Sequence, residues 1–198
     1  MNSLPIFASY IFYDYLNEDT DELKTYKDFR PTQSAPTESS TDKRILLRYP
    51  EIGKLLLDKF KKVAKDQLCY DQNFEISTSW LTRTLRGGSS QFHNHKNSFY
   101  SGIYYYGEYS DKSGLLELES PIRNHSDFYM VPYDSNIFNA SVWQIPPESK
   151  KIIFFPSYLN HRIIDHHDND SRYSLAFNIV PIGEYGHLDS SYDIKWFA

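Results

Sequence analysis

Three of the seven histidines in this chain are spaced so that they could share one ion. His93 and His95 are separated by a single residue. On a strand, positions i and i+2 point to the same face, so the two imidazoles can converge on one metal. His161 lies far downstream, at the start of another short apolar run. Two ligands from one strand and one from a distant strand make a three-ligand facial site. Such a site keeps positions open for water, substrate and O2, as a catalytic metal requires. Taken alone, the H-x-H pair also fits two polar residues near a turn.

A second group follows His161. The stretch Arg172 to Asn178 alternates cleanly. Arg172, Ser174, Ala176 and Asn178 share one face, and Tyr173, Leu175 and Phe177 share the other. The second face is ordinary core. The first holds a cation, two small residues and an amide, as expected for the polar inside of a small barrel. An inward guanidinium needs an anion, because an unpaired desolvated charge is costly. A dicarboxylate cosubstrate would supply one, through a bidentate contact with Arg172 and a hydroxyl contact from Ser174. The competing reading is a buried pair with Asp165 or Asp170, or an arginine at a strand end in water.

The elements that must carry these residues can be read from the same pattern. From Phe74 onward short apolar runs recur between turn signals: Trp80 to Leu85, Phe99 to Tyr106, Leu115 to Leu118, Ser141 to Ile145, Ile152 to Phe155, His161 to Ile164 and Arg172 to Val180. That rhythm predicts a mainly β chain, a sandwich or jelly roll. Ahead of it, Ile45 to Leu68 reads as a helix, with apolar residues at three- and four-residue steps and Pro50 in the first turn. Ile6 to Tyr15 reads as a first strand. Asn17 to Lys43 is polar and Ser/Thr-rich, which predicts a loop or mobile flap near a pocket mouth. One domain is expected over 1–198: a strand, polar loop and helix over 1–73, the jelly-roll core over 74–181 and a Tyr-rich tail over 182–198.

The combined pattern resembles the 2-oxoglutarate/Fe(II) oxygenases, where an H-x-D/E pair and a distal His hold iron and a later Arg-x-Ser holds 2-oxoglutarate. More narrowly, Trp80-Leu81-Thr82, Gly87, His93-Asn94-His95, Ser101 to Tyr105, Phe154 to Ser157, His161 and Arg172 to Asn178 are similar to an oxygenase group of marine bacteria and their phages. The resemblance covers roughly residues 74 to 181 and lies on the prolyl hydroxylase side of the superfamily. It implies a double-stranded β-helix and a dioxygenase that hydroxylates a substrate C–H bond, with a peptidyl proline as the first candidate. It implies Fe(II) on His93, His95 and His161, with O2 as cosubstrate, and 2-oxoglutarate on Arg172 and Ser174. Tyr105 would reach the same carboxylate or serve as a core aromatic, and Asn178 would reach the near carboxylate or a metal-bound water. His95 stands where the family carries a carboxylate, so the ion would keep its full charge of two, or His95 would stand behind it. A cupin-like three-histidine protein without 2-oxoglutarate and a non-catalytic jelly-roll binding module remain alternatives.

The remaining residues narrow the field. Trp80 and Trp143 read as core, and His166, His167 and Asp168 as an exposed turn; His125 and His187 are isolated. The 198 residues include 17 Tyr and 13 Phe, a β-favouring composition. Cys69 is the single cysteine, so no internal disulfide is possible. A net charge of -5 argues against nucleic acid as an obligate partner. No apolar run approaches a membrane span, and the start does not read as a leader, so a cytoplasmic protein acting on a small molecule or peptide is expected (host cytoplasm if phage-encoded).

Overall fold

The computed structural model describes residues 8–34, 36–122 and 130–194. Ile6, the opening of the expected first strand, and His125 lie outside them. The elements in chain order are β1 (Phe12–Tyr15), β2 (Phe29–Pro31), β3 (Thr37–Ser40), α1 (Pro50–Asp66), β4 (Asn73–Thr84), β5 (Tyr100–Tyr104), β6 (Leu116–Glu119), β7 (Val142–Ile145), β8 (Lys151–Pro156), β9 (His161–Ile163), β10 (Arg172–Tyr185) and β11 (Tyr192–Ile194). Eight strands form a major sheet in the order β1-β8-β5-β10-β4-β3-β2, with β11 paired to β10. The minor sheet runs β7-β6-β9. Every pairing between these strands is antiparallel. This is the expected jelly roll.

Strict alternation divides the major sheet into two faces. Tyr100 and Tyr104 of β5, Ile152 and Phe154 of β8, and Leu175 and Phe177 of β10 join the core beneath α1. The intervening Ile103, Ile153 and Phe155 turn the other way and meet Leu116 and Leu118 of the minor sheet. The helix supplies Ile52, Leu56, Phe60 and Ala64, a stripe at four-residue steps. Phe60 is its keystone, with ring centroids 5.1, 5.2 and 5.5 Å from Phe74, Tyr100 and Phe154. Pro50 opens the helix, where its missing N–H costs nothing. The first turn of the expected helix, Ile45–Leu47, is instead a separate 3-10 turn.

The polar stretch before the helix differs from expectation. It contains a 3-10 turn at Asp21–Thr25 and two strands, of which β3 pairs with β4 through Thr37–Thr84 and Ser39–Thr82. Its hydrogen bonds therefore come from an already formed sheet edge. Trp143, expected in the core, is 47% exposed because β7 is the outer strand of the minor sheet. No helix among the described residues is long and apolar enough to cross a membrane.

Gly102 on β5 lies directly beneath the Phe177 ring: a Cβ there would sit 2.2 Å from Cζ. Phe177 is fully buried and cannot swing away. Gly102→Ala should therefore destabilise the fold by ~1–3 kcal/mol. Urea unfolding should show a lower midpoint with an unchanged slope.

Candidate metal and anion site

The three histidines converge. His161 opens β9, and its backbone exchanges two hydrogen bonds with His93, at 3.0 and 2.8 Å. This bridge lays the His93 loop along the free edge of β9. The His95 N–H donates to the Ser157 carbonyl at 3.0 Å. Asn94, between the two histidines, donates to Asn160 at 2.8 Å, and Asn160 in turn donates to Glu119 at 2.8 Å. The loop is thereby stapled to the residue next to His161. The expected long strand is absent at His93 and His95, yet their rings still meet. Potential ligand atoms of His93, His95 and His161 all lie within 4.8 Å of one another.

The imidazoles are set up as neutral ligands. Nδ1 of His93 faces the Gln91 carbonyl at 2.9 Å, and Nδ1 of His161 faces the Leu159 carbonyl at 3.0 Å. A carbonyl only accepts, so both Nδ1 atoms carry the proton and both Nε2 lone pairs are free. Burial, with His93 nearby, depresses His95 to a pKa of about 4 and His161 to about 3. Trp80 packs on His95 at 5.4 Å between ring centroids, so it faces the site and is not a core residue. Three converging imidazoles, two of them held neutral by burial, fit a divalent first-row ion.

Arg172 lies at the other end of the same cavity, whose volume is about 410 Å³. It is 1% exposed and, among the described residues, makes no ion pair. The alternative pairings with Asp165 or Asp170 are not made. Its Nε donates to the Gly114 carbonyl at 2.8 Å, Nη1 to Ser174 at 3.4 Å and Nη2 to the Tyr105 hydroxyl at 3.2 Å. The guanidinium also stands 5.0 Å from the Tyr105 ring centroid. Five N–H groups minus these three leave one hydrogen on each terminal nitrogen, the fork that a carboxylate requires. Burial pushes the Tyr105 hydroxyl above its ordinary pKa despite the pull of Arg172, so it keeps its proton. Ser174 and Tyr105 both accept from Arg172 and retain an O–H to donate. Tyr105 lies behind the guanidinium, away from the cavity lining. These groups fit a buried anion.

Two residues depart from the sequence reading. The Asn178 amide is occupied: Oδ1 accepts from Ser101 at 2.9 Å and Nδ2 donates to Thr78 at 3.0 Å. It does not line the cavity. Ser101 also pairs with Ser157 at 2.8 Å, so Asn178 braces the residue whose carbonyl holds His95. His166, expected on an exposed turn, is fully buried. Its Nε2 donates to the Asp170 carbonyl at 2.6 Å, so its Nδ1 is the acceptor for the Gly114 N–H at 3.2 Å. Its backbone bridges to Gly87 and Gly88 at 2.7 and 2.9 Å. His166 thus holds Gly114, the residue whose carbonyl orients Arg172. A polar sequence neighbourhood hid this role, and its partners Gly87 and Gly88 are distant in sequence. His167 is exposed as expected.

Comparison with known proteins agrees with this geometry. The family described as "Putative 2OG-Fe(II) oxygenase" matches residues 78–178, about half of the chain. No curated protein matches the sequence. In three dimensions the chain is similar to an oxidoreductase of the 2OG-Fe(II) oxygenase family from Burkholderia pseudomallei, with 14% identity, a TM-score of 0.58, and coverage of 81% of this chain and 75% of that one. It is also similar to HygX from Streptomyces hygroscopicus, solved with nickel and 2-oxoglutarate, at 11% identity and TM-score 0.62 over 87% and 83% of the two chains. The epimerase SnoN from nogalamycin biosynthesis matches at 8% identity and TM-score 0.64 over 89% and 81%. At these identities the likeness establishes the jelly-roll fold, while the sequence match, spanning both histidine positions and the arginine strand, makes this chain a member of the 2OG-Fe(II) oxygenase family.

Proposed function

We propose that the chain is a hydroxylase in which His93, His95 and His161 hold Fe(II), and Arg172 with Ser174 holds the distal carboxylate of 2-oxoglutarate. The observation that carries this reading is the buried Arg172, which makes no ion pair among the described residues and shares one cavity with three converging imidazoles. Iron with 2-oxoglutarate and O2 supplies the oxidising chemistry; the protein orients and shields it. With three uncharged ligands the ion keeps its full charge of two, which favours an anionic chelator more strongly than a carboxylate-bearing site would. Tyr105 holds Arg172 from behind, and its remaining O–H is oriented by that contact. Asn178 acts at one remove, through Ser101 and Ser157, on the loop of His95. Ala176 lines the cavity and leaves room beside the metal group. The reaction we assign is hydroxylation of a substrate C–H bond, and the sequence resemblance makes a peptidyl proline the first substrate to try.

Titrating 2-oxoglutarate at fixed Mn(II), an oxygen-inert stand-in, tests the assignment. Arg172→Ala should weaken 2-oxoglutarate by roughly ten- to a hundredfold, the value of a lost charge-assisted contact, and leave metal affinity nearly intact. His161→Ala should lose both ligands together. A parent protein that binds no 2-oxoglutarate at millimolar concentration would instead favour the cupin-like three-histidine reading.

His166→Phe removes the Gly114 acceptor while keeping an aromatic volume. It should weaken 2-oxoglutarate about tenfold with metal affinity unchanged, by loosening Arg172. Equal 2-oxoglutarate affinity in the variant would leave His166 as a fold residue only.

The depressed histidines also set a pH dependence for the metal-free protein. Their folded pKa values lie below the ordinary 6.5, so the unfolded chain binds more protons once the pH falls below that value. Stability should be flat above about pH 6.5 and should fall as the pH drops towards 4. Thermal unfolding of the metal-free protein across this range should show it, and His95→Gln should flatten the slope.

A further inference from the structure

The cavity contains a second cation that the oxygenase reading leaves without a partner. Lys43 also lines it. Its backbone is fixed, because the Lys43 carbonyl accepts the N–H of buried Ser79 at 2.9 Å. Its ammonium donates to Ser39 at 2.6 Å and makes no ion pair among the described residues. An ammonium carries three hydrogens, so two remain to donate. The acids nearest in sequence are engaged elsewhere: Glu38 pairs with Arg83 on the other face of the sheet, and Asp42 pairs with Arg48 at 2.8 Å. No Asp or Glu among the described residues lines the cavity. Partial burial lowers the Lys43 pKa from its ordinary value, the direction an anion would reverse.

Register fixes where this charge sits. Ser39, Thr82 and Ser174 lie side by side on β3, β4 and β10. Ser39 holds Lys43 and Ser174 contacts Arg172. Two strand spacings separate the two serines, about 10 Å. One carboxylate is too small to satisfy both cations. In the reading above, the distal carboxylate of 2-oxoglutarate goes to Arg172 and its other end to the metal. Lys43, whose side is open to solvent, is then free to receive a second anion. The floor between the cations is built of hydroxyls, with Thr82 and Thr84 on β4 and Thr37 and Ser39 on β3. It suits a polar molecule.

We infer that the primary substrate carries an oxyanion, a carboxylate or a phosphate, which Lys43 receives across a hydroxyl-lined floor supplied by the segment 32–43. This rests on the oxygenase reading and narrows its substrate class. Thr32, Thr37, Ser39 and Lys43 then form part of the substrate wall.

The test uses the full chain loaded with Mn(II) and saturating 2-oxoglutarate, titrated by calorimetry. The probes are inorganic phosphate and two acid–amide pairs, lactate with lactamide and N-acetylproline with N-acetylprolinamide. The phosphate arm and the acid arms separate the two oxyanion sources. The parent should bind phosphate, or should bind an acid about tenfold tighter than its amide. Lys43→Gln should remove that binding or preference, and Lys43→Arg should retain it. Both variants should bind 2-oxoglutarate as the parent does. The inference is overturned if phosphate does not bind and acid and amide bind alike, or if Lys43→Gln keeps the phosphate binding or the acid preference. It is also overturned if Lys43→Gln weakens 2-oxoglutarate as much as the anion, for Lys43 would then belong to the cosubstrate. A parent that binds no 2-oxoglutarate removes the oxygenase reading itself, a result distinct from these.

Discussion

A desolvated guanidinium organises the centre of this molecule. Taking Arg172 out of water costs several kcal/mol unless its charge and hydrogens are answered. The fold answers the hydrogens in part and, among the described residues, the charge not at all. Gly114 takes Nε, while Ser174 and Tyr105 take one hydrogen from each terminal nitrogen. Each of these partners is itself held. Gly114 is fixed by His166, and Tyr105 is fully buried on the inner face of the sheet beside Tyr109. The result is a rigid, incomplete shell whose remaining valence is a bidentate anion site.

The metal end is built by a different device. Two of its ligands, His93 and His95, sit on a loop, so precision has to come from fastening that loop to His161 on β9. The His93–His161 backbone bridge, the Asn94–Asn160 contact and the His95–Ser157 hydrogen bond supply it. Carbonyls behind His93 and His161 settle the tautomers, and burial keeps His95 and His161 neutral. Rigid sheet for the arginine and stapled loop for the histidines are two routes to preorganisation. They meet because β10 carries Arg172 four residues before Ala176, which pairs with Trp80, the residue that packs on His95.

Alternation made much of this legible without coordinates. On β10 the period of two separated Arg172 and Ser174 from Leu175 and Phe177, and the structure keeps that separation. The helix was equally plain, since Ile52, Leu56, Phe60 and Ala64 recur at helical spacing. The segment before the helix was misjudged because β3 has no apolar face. Its residues pair with β4 and then face a polar cavity, so they carry no hydrophobic alternation to read. Likewise Trp143 is exposed because β7 is an edge strand, which depends on sheet order.

By itself, then, the sequence determined which side chains could face a polar interior and which must face a core, because those choices depend on neighbours one to four residues away. Chain composition and the His and Arg spacings carried the β class and the candidate ligands. Only the tertiary structure decided that Arg172 makes no ion pair among the described residues, that Asn178 braces a loop, that buried His166 holds Gly114, and that Lys43 lines the same cavity as Arg172. Each of these depends on groups distant in sequence. A partner's presence, or its absence, is set by which strands lie side by side and which loops fold over them, and no local pattern encodes that.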